Sequence, residues 1–130
     1  MTVLIDTNVL VRHLTGDPPD QGRRATAFLE SRHDLWLADL VVAELVYVLR
    51  SFYGLSRDQA ASLVRAVLEV PCVSVSNAQV LYRSVELFEA EGFRFAEPRL
   101  VALAESASID VIVSFDRSFD RVETLTRIEP

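Results

Sequence analysis

The sequence predicts an α/β protein: a three-layer α/β/α sandwich around a mostly parallel central sheet, in a single domain spanning residues 1–130. Three observations carry this expectation. Short β-branched or apolar runs alternate with helical stretches along the whole 130-residue chain, the pattern of parallel β-α units. Half of the residues are apolar, enough to bury a core at this length. No repeat, low-complexity tract or linker interrupts the alternation.

The elements follow in order. Val3-Leu4-Ile5 is the first strand. A helix from Thr7 to Thr15 stops at Gly16-Asp17-Pro18-Pro19. A second helix covers Arg23 to Ser31, with Ala25, Phe28 and Leu29 at core spacing. Leu35-Trp36-Leu37 is a short strand. Val41 to Phe52 is a helix whose inward stripe is Val41, Leu45, Val48, Leu49 and Phe52, with Asp39 as its N-cap. Ser56-Arg57-Asp58-Gln59 is a capping box opening a helix that turns Ala60, Leu63, Val64, Val67 and Leu68 inward. Val73-Ser74-Val75 is the next strand. Ser76-Asn77-Ala78-Gln79 repeats the capping pattern before a helix that Gly92 ends near Glu91. Pro98 suits the first position of a further helix to about Ala107. Val111-Ile112-Val113 and Leu125 to Ile128 complete the strands, the last at an edge.

Composition narrows the function. No apolar run approaches the ~20 residues of a membrane span. The chain opens on a strand instead of a basic stretch and a long apolar region, so no secretory signal and a cytoplasmic location are expected. Cys72 is the single cysteine; it reads as a buried, inert thiol. The net charge of −6 argues against a protein that grips nucleic acid by a broad basic surface. All 13 basic residues are arginines. A P-loop needs a lysine after its glycines, so that class is excluded.

Ligands of open parallel sheets sit beyond the carboxyl ends of the strands, and two acids fall there. Asp6 follows the first strand, and Asp116 follows Val113-Ser114-Phe115. Singly, either acid reads more simply as a helix N-cap. Glu44, three residues after Val41 and four before Val48, is expected on the inward helix face. A carboxylate there costs several kcal/mol unless it is paired with an arginine or bound to a cation. Glu97 precedes Pro98 at a helix start, and Glu is a poor N-cap. If Asp6, Glu44, Glu97 and Asp116 are all ionised, they supply four of the net six negative charges. Their mutual repulsion would be relieved by a hard divalent cation with oxygen ligands, Mg²⁺ or Mn²⁺. Such an ion polarises a phosphoryl oxygen and generates hydroxide near neutral pH, and the matching chemistry is phosphodiester hydrolysis.

The motifs around these acids resemble those of PIN domains. The opening strand ending in Asp6-Thr7-Asn8 resembles their first motif, and Ala43-Glu44-Leu45 their second. Phe95-Ala96-Glu97 before Leu100-Val101-Ala102-Leu103-Ala104 resembles the third, and Ser114-Phe115-Asp116-Arg117-Ser118-Phe119 the fourth. The resemblance spans nearly the whole chain, in order. It implies a metal-dependent endoribonuclease with Asp6, Glu44, Glu97 and Asp116 as metal or water-positioning residues. Asn8 and Ser114 then become groups that orient the carboxylates, against the simpler readings of helix-start and strand-end hydrogen bonding. Arg12 and Arg117, near the motifs, become substrate contacts. The short form is similar to VapC-like toxins, which implies a homodimer and a small antitoxin partner. One departure is Glu97, where the family usually carries Asp; it puts the ligand geometry at the third motif in question.

Other classes fit less well. A haloacid-dehalogenase-like phosphatase would have Asp where Asn8 stands, and a later lysine. A response-regulator receiver needs paired acids near the first strand and a lysine near the last. His13 and His33 are neither paired nor spaced for a metal and read as structural or surface residues. The alternative from another class is a PIN-like fold that has lost catalysis and serves as an RNA- or protein-binding module. Glu97 and the acidic surface are the features that favour it.

Overall fold

All five strands expected from the sequence are present in the computed structural model, which describes residues 2–91 and 94–130. The chain divides into two units, Met1–Ala78 and Gln79–Pro130.

Unit 1 alternates β1 (Val3–Leu4), α1 (Thr7–Thr15), α2 (Pro19–Ser31), β2 (Leu35–Leu37), α3 (Asp39–Ser51), α4 (Arg57–Leu68) and β3 (Val73–Val75). The strands form a parallel sheet in the order β1-β2-β3. Each crossover is a helix pair, as parallel neighbours require. Ile5, Leu10, Leu35, Leu37, Leu45, Leu49 and Val64 are buried, each worth roughly 1.5–3 kcal/mol against exposure. Cys72 is buried as expected, and its Sγ donates to the Leu29 carbonyl at 3.3 Å.

Two glycines shape the α1–α2 hairpin. Gly16 ends α1 at φ 67°, with its N–H on the Arg12 carbonyl, a left-handed cap that a side chain would strain. Gly22 is buried where α2 crosses this cap. A Cβ on it would meet Gly16 Cα at 2.7 Å and the Arg12 carbonyl oxygen at 3.1 Å. Glycine is therefore needed at position 22 for close approach, not for conformation.

Several details differ from the sequence-based expectation. α2 starts at Pro19, a full turn before Arg23, because proline suits the first helical turn and the Pro18-Pro19 pair serves as a start as well as a stop. Its buried positions are Gly22, Ala25 and Leu29. Phe28 lies beside that stripe and is 41% exposed. α3 begins at Asp39, after Ala38 as N-cap, so Asp39 adds its charge in the first turn without being the cap residue. The inward stripe of α3 is Val41, Val42, Leu45, Val46 and Leu49. Val48 is half-buried, and Phe52, past the helix end, is 78% exposed. The capping box of Ser56 and Gln59 is present in both directions.

Unit 2 contains α5 (Ala78–Glu91, the first residue belonging to unit 1), α6 (Ala96–Ser106), β4 (Val111–Val113), a short 3-10 helix at Arg117–Arg121 and β5 (Thr126–Ile128). β4 and β5 pair in parallel. Leu87, Val101, Ala104, Phe119, Val122 and Leu125 form the core, with Ile112 packed against it. α5 begins at Ala78, so Asn77 and not Ser76 precedes its first residue. The expected stop at Gly92 lies outside the described residues. α6 begins at Ala96. Pro98 is thus third in the helix, where a missing N–H still costs no intrahelical bond, and Glu97 is second.

Candidate active site

Asp6 lies just past β1 and caps α1; its Oδ1 accepts the Thr7 backbone N–H at 2.8 Å. The N-cap reading is therefore correct as far as it goes. The next residue carries the link to the second acid. Thr7 is 8% exposed, and its Oγ1 donates to Glu44 Oε2 at 2.7 Å. The first two acidic motifs, far apart in sequence, thus meet at the carboxyl end of β1.

The route by which Glu44 arrives differs from the expectation. Its side chain is exposed, not inward. The stripe of α3 is centred between Leu45 and Val42, and Glu44 lies roughly 130° around the helix from that centre at about 100° per residue. The inward expectation gave too much weight to Val48 and Phe52. With Glu44 exposed, no arginine is needed to offset burial, and a neutral hydroxyl suffices to orient it.

In unit 2, Asp116 follows β4 and caps the 3-10 helix, its Oδ1 accepting Ser118 N–H at 2.9 Å. The Ser118 backbone N–H holds the Asp116 carboxyl below the usual carboxylate range, and Arg121 and Arg127 act in the same direction. Ser114 Oγ accepts the Asp116 N–H at 3.0 Å, so Ser114 shapes the turn that presents the acid. Arg127, which the sequence reading passed over, donates to the Ser114 carbonyl and to Asp120 Oδ1, both at 2.9 Å. Glu97 is half-buried in the first turn of α6. Its Oε2 is buried and takes no hydrogen bond.

Asn8 is exposed in the first turn of α1. Arg12 is half-buried, with Nε on Gln21 Oε1 at 2.8 Å. Arg117 is exposed directly after Asp116. His13 Nδ1 is 2.8 Å from Thr26 Oγ1, a structural contact. Thr7 was missed because a hydroxyl at a helix start reads as a local hydrogen-bonding group, and its acceptor stands 37 positions away.

Within either unit, among the described residues, no group of three or more His, Cys, Asp or Glu side chains forms a metal cluster. Each unit, taken by itself, carries one candidate Asp after a strand and one candidate Glu on a helix. By donor type these side chains suit a hard cation such as Mg²⁺ or Mn²⁺, being carboxylate oxygens with no thiol or imidazole among them. The unpartnered Glu97 oxygen fits too, because a buried carboxylate oxygen without a donor is normally costly.

Residues 3–125 match the PIN domain family. The chain belongs to that family, whose members are nucleases. Among solved structures, it is similar to a toxin–antitoxin complex from Klebsiella pneumoniae, at 15% identity over 96% of both chains with a TM-score of 0.37. It is also similar to VapBC2 from Rickettsia felis bound to a promoter DNA fragment, at 17% identity over 99% of this chain and 98% of that one with a TM-score of 0.40. No curated protein matches the chain. Among the described residues, no helix is long and apolar enough to cross a membrane.

Proposed function

We propose that the chain is a metal-dependent endoribonuclease, the toxin of a toxin–antitoxin pair. The observation that carries the reading is the Thr7–Glu44 bond, which brings the Glu44 carboxylate beside the Asp6 motif in a chain of a nuclease family. Asp6, Glu44, Glu97 and Asp116 would hold Mg²⁺ or Mn²⁺, which when bound polarises the scissile phosphate and lowers the pKa of water. The chain's own residues act around it. Thr7 occupies Glu44 Oε2 and fixes the carboxylate. Ser114 Oγ accepts the Asp116 backbone N–H and the Ser118 backbone N–H donates to the Asp116 carboxylate, which together fix the acid, and Asn8 is a further orienting group. Arg12 and Arg117 contact substrate phosphates.

The same family pattern supports a homodimer, a small antitoxin partner and a cytoplasmic setting. Leu40 at 69% and Tyr47 at 70% exposure lie one heptad apart on α3, apolar surface that a second copy would cover. Light scattering at micromolar concentration tests the dimer, and co-expression with the adjacent short reading frame tests the antitoxin.

The decisive experiment is cleavage of labelled RNA by the purified chain with Mg²⁺ or Mn²⁺, with EDTA, and with metal restored. Cleavage should vanish with EDTA and return on add-back. RNA binding without cleavage under every metal condition would replace this reading with that of a catalytically weakened module.

A further inference from the structure

A groove of about 510 Å³ runs between α1 and α2, lined among others by Asn8, Arg12, Gln21, Arg24 and Phe28. We propose that it is a subsite for single-stranded RNA, in which Arg12 and Arg24 hold phosphates and Phe28 stacks a base. The identity of the ligand as RNA rests on the ribonuclease reading above; the chemistry of the groove rests on its own residues.

Charge is the first argument. The chain carries −6 overall, yet the residues lining this groove include two arginines and no acid. The Arg12 Nε bond to Gln21 orients the guanidinium and leaves its two terminal nitrogens as a fork of the kind that grips a phosphate. Arg24 sits 3.7 Å from Asp20, with both side chains about three-quarters exposed, 76% and 73%. An exposed pair of that kind is weak, and a phosphate can displace it.

Phe28 is the second argument. Its ring is held by the Arg32 guanidinium, 5.6 Å from the centroid, and Arg32 is itself pinned by two bonds to Asp34 at 2.9 and 2.8 Å. The ring is thus a supported yet accessible platform beside two cations, the combination that single-strand binders use. A duplex keeps its bases stacked inside, so an aromatic platform selects an unpaired strand.

Continuity is the third. Asn8 and Arg12 are one turn apart on α1, and Asp6 caps the same helix. From the cap to Arg12 is roughly 9 Å along the axis at about 1.5 Å per residue. A strand held at Arg12 therefore leads toward the acidic end of the helix.

The test reads affinity, not cleavage, and so separates from the metal experiment. Fluorescence anisotropy would follow a labelled single-stranded oligoribonucleotide of mixed sequence on the full chain carrying Asp6→Asn, which suppresses turnover. Adding Phe28→Leu, an exposed apolar exchange, should raise Kd about tenfold, and Phe28→Trp should restore binding. Adding Arg24→Gln should weaken binding and reduce the slope of log Kd against log salt by about 0.7. An RNA duplex should be indifferent to Phe28→Leu. Unchanged Kd for single-stranded RNA in both Phe28→Leu and Arg24→Gln overturns the proposal and leaves the groove to a peptide. Equal losses for single strand and duplex overturn it as well, because they reduce the groove to a charge patch.

Discussion

Each unit carries an Asp that follows a parallel strand and a Glu on a helix, and the acids of the two units are held differently. In unit 1, Asp6 and Glu44 are knit together by the backbone and hydroxyl of one residue, Thr7. The linker is a neutral residue, with no arginine between the two acids. In unit 2, Asp116 is fixed by Ser118 and influenced by two arginines, while the buried Oε2 of Glu97 accepts no hydrogen bond. The contrast separates two ways of holding an acid in a candidate site. One is pre-organisation by a local hydrogen bond. The other tolerates an unsatisfied oxygen, at a stability cost of about 1–3 kcal/mol, which a ligand can offset.

The sharpest way to break the comparison is at Asp6. Asparagine caps a helix as well as aspartate, so Asp6→Asn should leave the melting temperature nearly unchanged. RNA cleavage should fall by more than the roughly 10–100-fold typical of an outer-shell group. A wild-type rate in a labelled-RNA assay would remove the first acid from the site.

Glu97 comes next. Glu97→Ala should lose roughly 10–100-fold in activity, yet hold or raise stability, by up to about 2 kcal/mol, because the orphaned oxygen is gone. Glu97→Asp should keep a substantial part of the activity with Mg²⁺ or Mn²⁺. Denaturant melts alongside rates test both halves; an unimpaired Glu97→Ala protein would remove Glu97 from the proposed metal-holding residues.

Thr7→Val tests the link in unit 1. It preserves shape and removes the bond to Glu44. We expect about tenfold lower activity and about 1 kcal/mol lower stability, with Thr7→Ser recovering most of both. Equal behaviour of Thr7→Val and wild type would make the bond incidental.

The smallest effect concerns Asp116. Its lowered carboxyl contributes stability that is complete above the unfolded value near pH 4 and is lost as pH falls through the lowered native value. Arg127→Ala should move the Asp116 titration up only slightly, because the Ser118 N–H, the larger cause, remains. Carboxyl NMR on the metal-free chain reads this directly, and a large upward move would make the arginine the dominant influence.

Much of this was legible along the chain. The α1 boundaries at Thr7 and Thr15, the Gly16 stop, strands β2 to β4 and the Ser56 capping box follow from local rules about caps, breakers and β-branched runs. The ordered acidic motifs were enough to suggest the family. Burial was less legible. Phe28, Phe52 and Glu44 were each assigned to an inward face and lie outside it, because a helix rich in apolar residues offers more than one plausible stripe. Which stripe packs depends on its neighbours.

The positions of the strands, the Asp6 and Ser56 caps and the acids that follow β1 and β4 could be read along the chain, since those depend on backbone preferences over a few residues. That Gly22 is the contact point of α2 on the Gly16 cap, and that Thr7 meets Glu44, 37 positions away, emerged from the packing. Periodicity records which face of an element is apolar; it holds no information about which distant side chain will stand opposite. That choice is made when the crossover helices dock on the sheet and a buried hydroxyl must find an acceptor.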